Sequence, residues 1–167
     1  MLDQLMSRIS KSTEQPVALT MNEWDLRSNK VRTDESVIGD FIADILLISM
    51  ERELRSQSEK EMDATVSAGG RMADCCIICG GSLRSDSVFG PGVITLGNLI
   101  EIMPFEDAIV VKELRGQDIW DALENGFSTY PKQEGRFTQV AGMKVIWDSR
   151  RPPGKRVVSV HLLKQPL

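Results

Sequence analysis

Apolar residues recur along this chain at two spacings, one near 3.6 residues and one near 2, and the spacing changes from segment to segment. Leu2, Leu5, Met6 and Ile9 fall at helical intervals, which predicts a short helix over 2–11, broken between Ser12 and Pro16. Residues 17–21 read as a strand. Residues 25–34 are polar and loop-like, and carry Arg27 and Arg32. Ile38, Phe41, Ile42, Ile45, Leu46 and Ile48 then form a stripe that predicts a helix over 36–55. The charged run RSQSEKEMDATVSAGGR after it reads as a surface loop.

The second half alternates in the same way. Residues 75–79, Cys-Cys-Ile-Ile-Cys, read as a buried strand. Thr95 suits the N-cap of a helix that runs through Met103 and stops at Pro104. Residues 108–114 are rich in β-branched side chains and predict a strand. Gly116 leads into a helix with Ile119, Trp120, Leu123 and Phe127 on one face. Residues 139–147 and 156–163 read as a strand pair, joined by DSRRPPGK with its Pro-Pro-Gly turn. Helices mixed with strands predict a single α/β or α+β domain, preceded by a connector helix and linker over 1–16 and occupying 17–167.

Composition narrows the function classes. At 167 residues, with 41% hydrophobic and 26% charged residues, the chain can bury a core of ordinary size. A net charge of −4 with interspersed signs argues against a nucleic-acid binder, which carries a basic face. No stretch approaches the ~20 apolar residues of a membrane span. The first fifteen residues lack an apolar signal core, so the chain as given is expected to stay where it is made.

Cys76 and Cys79 are formally a C-x-x-C pair. In a strand, however, Cys75, Ile77 and Cys79 share one face and Cys76 and Ile78 the other, so the two sulfurs point apart. One histidine, His161, cannot supply a structural zinc site or a binuclear hydrolase centre, and it sits in the last expected strand. Neither a Walker loop nor G-x-G-x-x-G is present. These residues predict no self-sufficient catalytic machine and no metal or other cofactor in this chain.

Anion-binding parts are present. Cys79-Gly80-Gly81-Ser82-Leu83-Arg84 ends a strand on two glycines and then presents a guanidinium. The glycines are candidates for a small backbone nest, and Arg84 lies just beyond them. Arg32 precedes the long helix, with Glu35 three residues on as a candidate holder of its guanidinium. Arginine suits phosphate because its planar fork makes paired hydrogen bonds. Pro104-Phe105 places an aromatic in a loop after a helix.

In order along the chain, VRTDESVIGDFIAD, DCCIICGGSLRSD, GVITLGNLIEIMPFEDAIVVKELRGQDIWDALEN, GRFTQVAGMKVIWD and PPGKRV resemble the C-terminal domain of the 5′-nucleotidase and UDP-sugar hydrolase family, from about Val17 to Leu167. The resemblance implies a layered α/β/β/α domain with mixed sheets that supplies nucleotide specificity in nucleotide breakdown. It implies an N-terminal metallophosphatase domain as partner, which holds two divalent metals and the catalytic residues. Members are often secreted or held at the surface. Arg32 matches the arginine of R-x-x-E-x-x-x-G-N, Arg84 the one closing N-G-G-G-[IL]-R, and Phe105 the aromatic of the P-F motif, one plate of a two-ring clamp on the base. Arg27 corresponds to a further arginine of some members.

The departures are specific. Cys79 stands where the family has a ligand-binding asparagine, Ser82 replaces the third glycine, and Gly-Asn becomes Gly39-Asp40. The family's late G-x-D-G-[FY] segment, with the second aromatic plate, has no counterpart before Leu167, so the domain is expected to be cut short at that end. Three functions stay open: the specificity domain of a nucleotide hydrolase, a stand-alone module for nucleotides or other phosphorylated small molecules, and a scaffold whose ligand site has decayed.

Overall fold

The computed structural model describes residues 12–61 and 73–163. The expected helix over 2–11 and most of the expected surface loop after residue 61 lie outside that range. The elements run β1 Pro16–Thr20, β2 Trp24–Asp25, α1 Ser28–Val31, α2 Val37–Glu61, β3 Cys76–Cys79, β4 Val88–Phe89, β5 Gly92–Thr95, α3 Leu96–Ile102, α4 Gly116–Phe127, β6 Thr138–Ala141, β7 Met143–Trp147 and β8 Val157–Leu162. Pairing among the described residues is antiparallel throughout: β1 with β5, β2 with β4, β3 with β6 and β7 with β8. Mixed helices and strands with small antiparallel sheets place the fold in the α+β class.

The β3–β6 pair is the central layer. Cys75 and Ile77 pack on a cluster of Leu123, Phe127, Phe137, Met143 and Val157, drawn from α4, β7 and β8 with the turn before β6. Cys76 and Ile78 pack the opposite way, on Ala43, Leu47 and Ala141 beneath α2. The strand alternation that parts Cys76 from Cys79 is therefore real. The expectation of a buried strand needs correction: its cysteines are half-buried at 75 and 76, and Cys79 is exposed at the strand's end, past both clusters. Burial pushes the Cys75 and Cys76 thiols up from their ordinary range, which disfavours the reactive thiolate.

Helix α2 extends beyond the expected residue 55 and buries two adjacent faces. Ile38 and Ile42 enter one cluster with Trp24, Leu26, Val31, Leu83, Ile94 and Ile102, and Ala43 and Leu47 enter another. Ile45 and Ile48, read as part of the stripe, are exposed, because the second buried face turns the helix away from them. Helix α3 opens on a complete capping box. The Thr95 hydroxyl accepts the Asn98 amide and the Asn98 carbonyl oxygen accepts the Thr95 amide.

Three other segments depart from expectation. The polar stretch 25–34 contains the end of β2 and the single turn α1. Residues 139–147 are not one strand. Gly142, at φ +70°, bends the chain, so that β6 joins β3 while β7 joins β8. Residues 108–114 form no strand: Ile109, Val110, Val111 and Leu114 are all exposed. Their β-branched side chains favour a pleated surface, but no described strand lies beside them to make one.

Candidate functional site

Short connections bring the expected site residues together. Leu26 donates its amide to Ser87 and Ser28 donates its amide to the Asp86 carboxylate at 2.6 Å, so the chain entering α1 lies along the segment after Arg84. Arg32, at the C-terminal end of α1, thereby comes to the same cavity as Arg84. Leu26, Ser28, Leu83, Ser85 and Asp86 complete its lining, and its volume is about 190 Å³. On the other side, the Arg84 amide donates to the Ile102 carbonyl at the end of α3, three residues before Phe105. That link sets the Arg84 guanidinium 5.7 Å from the centre of the Phe105 ring, which is half exposed.

Among the described residues, the two guanidinium groups at this cavity stand apart from the chain's paired arginines. Arg27 is held by both oxygens of Asp25 at 2.9 and 2.6 Å, Arg115 by Asp118, and Arg150 by Asp148. Among the described residues neither Arg32 nor Arg84 forms an ion pair. Arg32 donates to the Gln133 carbonyl at 3.3 Å and Arg84 to the Gly81 carbonyl at 3.5 Å. The proposed Glu35 holder is a correction: the Glu35 carboxyl faces Asp40 instead. Arg27, tied to Asp25, does not line the cavity.

The nest reading of the glycines is also corrected. Gly80 donates its amide to Phe137 at 2.6 Å and Gly81 donates to Gly135 at 2.9 Å, so both N–H groups are used inside the protein. Their missing side chains serve close packing. A Cβ on Gly80 would overlap the Val31 carbonyl oxygen, and one on Gly81 would stand 2.6 Å from the Gly135 Cα. Gly80, Gly81 and Cys79 do not line the cavity; they hold the loop that carries Arg84.

Sequence reading missed Ser85 and Asp86. Both have positive φ, +95° and +54°, where a non-glycine residue is uncommon outside functional or tightly held turns. The signal available was the Ser-Asp pair directly after the arginine. Asp86 adds a carboxylate to the lining of the cavity, outside ion-pair distance of either guanidinium, and so lowers the cavity's net positive charge. Asp86→Asn keeps an acceptor for the Ser28 amide and tolerates the left-handed backbone. Its expected result is several-fold tighter binding of a phosphate monoester, read by titration against the parent.

Asp40 gives a pH signature. Burial, with the Glu35 charge second, pushes its carboxyl up from 3.8 to about 6. The folded state therefore holds this proton more tightly than the unfolded chain. Its contribution is full below pH 3.8 and is lost as pH rises through about 6. Asp40→Asn removes the penalty. Because the group is partly solvated, the expected gain is about 1 kcal/mol at pH 7, vanishing by pH 4. Urea unfolding at the two pH values checks it; an equal gain at both contradicts the assignment.

The donor set does not fit a binuclear metal centre. His161 is exposed on β8, and among the described residues no three of His, Cys, Asp and Glu gather to hold an ion.

Known proteins resemble this chain over most of its length. The trifunctional nucleotide phosphoesterase YfkN of Bacillus subtilis is 33% identical over 161 residues, 96% of this chain and 10% of its own length. A snake venom 5′-nucleotidase of Naja atra is 26% identical, over 97% of this chain and 29% of its own length. The 5′-nucleotidase precursor of Thermus thermophilus superposes with a TM-score of 0.74 at 28% identity, covering 96% of this chain and 28% of that one. The chain thus spans between a tenth and about three-tenths of the relatives it matches. The profile described as "5′-nucleotidase, C-terminal domain" matches residues 11–167, and the chain belongs to that family.

Proposed function

We propose that this chain is the substrate-binding domain of a nucleotide-hydrolysing enzyme, and that it holds a phosphorylated ligand with Arg32 and Arg84 while the base lies on Phe105. The observation that carries the reading is the pair of guanidinium groups, 52 positions apart in sequence, that meet at one cavity with no carboxylate partner among the described residues. A cavity of about 190 Å³ is below the range of ~300–1,000 Å³ usual for a drug-sized ligand, so it suits the phosphate-bearing end, with the base outside it on the exposed ring. The metals and the chemistry belong to a separate metallophosphatase domain, with residues 1–16 as the connector.

Binding by this chain alone is expected to be weak. Two charge-assisted contacts of roughly 1.5–3 kcal/mol each and one base stack of about 1–3 kcal/mol are set against an association cost of at least ~4 kcal/mol. The surplus corresponds to a Kd near millimolar, about −4 kcal/mol. Cys79 offers no amide to add to it. The test is adenosine monophosphate titrated into the chain, with phosphate release followed with and without divalent metal. Millimolar binding without release fits. Metal-dependent release that co-purifies with the protein and disappears in Arg84→Ala contradicts it. The second reading, a decayed scaffold, draws on Cys79 at the asparagine position and on Asp86 in the cavity; it is favoured if nothing binds at high millimolar ligand.

A further inference from the structure

We propose that Gln139 is the positioning residue of Arg32: a buried amide on the central strand that fixes the turn from which this guanidinium reaches the cavity. The inference rests on reading Arg32 as a ligand residue.

Gln139 is 1% exposed, in register with Ile78 across β3–β6. Its side-chain nitrogen donates to the Val31 carbonyl at 3.1 Å and to the Asp34 carbonyl at 2.8 Å, and its oxygen accepts the Ser36 amide at 3.1 Å. The three contacts bracket Arg32 on both sides. They also use both donors of the amide and one acceptor site, so the group is matched to its place rather than merely tolerated there.

The same residue completes the start of α2. Ser36 accepts the Gly39 amide on its hydroxyl at 3.1 Å, as an N-cap serine does. In a capping box the residue three positions on would return a bond to the cap amide. Here that residue is Gly39, which has no side chain, and Gln139 supplies the acceptor from about a hundred positions away. Gly39 is the counterpart of this arrangement. A Cβ there would overlap Gln139 Oε1 and stand 2.5 Å from Cδ. The displaced atoms end a flexible side chain, but three hydrogen bonds hold it, so it cannot swing aside without releasing the turn. Gly80 closes on the same Val31 carbonyl that Gln139 donates to, with room there only for hydrogen. The Arg32 turn is thus seated on two groups of the β3–β6 layer, Gln139 and Gly80.

The test separates positioning from bulk stability. Gln139→Met keeps the volume and removes all three hydrogen bonds; Gly39→Ala attacks the same contact from the helix side; Val157→Ala is a destabilised control in the other cluster. Three quantities are read by NMR: exchange of the Ser36 amide, the Arg32 Nε–Hε signal, and the dissociation constant for adenosine monophosphate. Gln139→Met is expected to speed Ser36 exchange at least tenfold while the Cys76–Cys79 amides stay protected, to shift and broaden the Arg32 signal with Arg84 unchanged, and to weaken binding about fivefold. Combining it with Arg32→Ala should weaken binding no further than Arg32→Ala alone. Gly39→Ala should give the same pattern, which covers the case in which Gln139→Met does not fold. An unchanged Arg32 signal overturns the proposal, as does an additive double variant or an equal loss of binding in Val157→Ala. If the parent binds no nucleotide, the functional reading fails while the Arg32 signal and Ser36 exchange still decide the positioning.

Discussion

Gly80→Ala is expected to cost about 3 kcal/mol or more of folding stability, because the new methyl has nowhere to go. Its Cβ would overlap the Val31 carbonyl oxygen and lie 3.0 Å from the carbonyl carbon and 3.2 Å from the Phe137 oxygen. These are backbone atoms, and the Phe137 oxygen already accepts the Gly80 amide. Relief requires α1 to move off the loop, and α1 carries Arg32, so ligand binding should fall together with stability. Gly116→Ala is the matched control. Its Cβ meets nothing within 4 Å, and the position opens α4, so a change within about 1 kcal/mol, in the stabilising direction, is expected. Urea unfolding of both variants decides it; equal midpoints would mean that Gly80 is merely a turn residue.

Glu124→Ala is expected to cost about 3 kcal/mol. This carboxylate is buried in α4 and accepts two amides at the start of β8, from Arg156 at 2.9 Å and Val157 at 2.7 Å. Arg156, also buried, returns the tie by donating its guanidinium to the Phe127 carbonyl at the end of α4 and to the Arg151 carbonyl at 3.2 Å. Truncation orphans two buried N–H groups, each costing roughly 1–3 kcal/mol when left without an acceptor. Glu124→Gln keeps one oxygen and should lose less than half as much. Neither residue lines the cavity, so affinity per folded molecule should hold. A loss under about 1 kcal/mol for Glu124→Ala would mean that water replaces the carboxylate.

What the sequence disclosed follows the range of the interactions involved. The helical face Ile119, Trp120, Leu123, Phe127 and the Thr95 cap were legible because both are set within a few residues. Family motifs pointed to Arg32, Arg84 and Phe105, and the fold brings the two arginines to one cavity, with the Phe105 ring 5.7 Å from the Arg84 guanidinium. The failures involve distant partners. The glycines of 80 and 81 suggested an anion nest, but Phe137 and Gly135 take their amides, and nothing local to the loop announces that. Residues 108–114 have strand propensity without a strand neighbour. Gly142 divides an apolar run because the chain there passes close to the Asp74 carbonyl, a contact with no trace in the run itself. Arg27 and Arg32 look alike in sequence until Asp25 is seen to hold the first of them.

The central claim is that Arg32 and Arg84 form one ligand site with Phe105, and chemical-shift mapping tests it most directly. Adenosine monophosphate and adenosine are titrated into the parent, Arg32→Ala and Arg84→Ala, with backbone and arginine side-chain signals assigned. In the parent, the monophosphate should move Arg32, Arg84, Ser85, Asp86 and Phe105 together with one dissociation constant near millimolar, while adenosine moves chiefly Phe105. Either arginine variant should lose the phosphate-dependent shifts. Shifts centred elsewhere on the domain, or a monophosphate response unchanged in Arg84→Ala, would contradict the site.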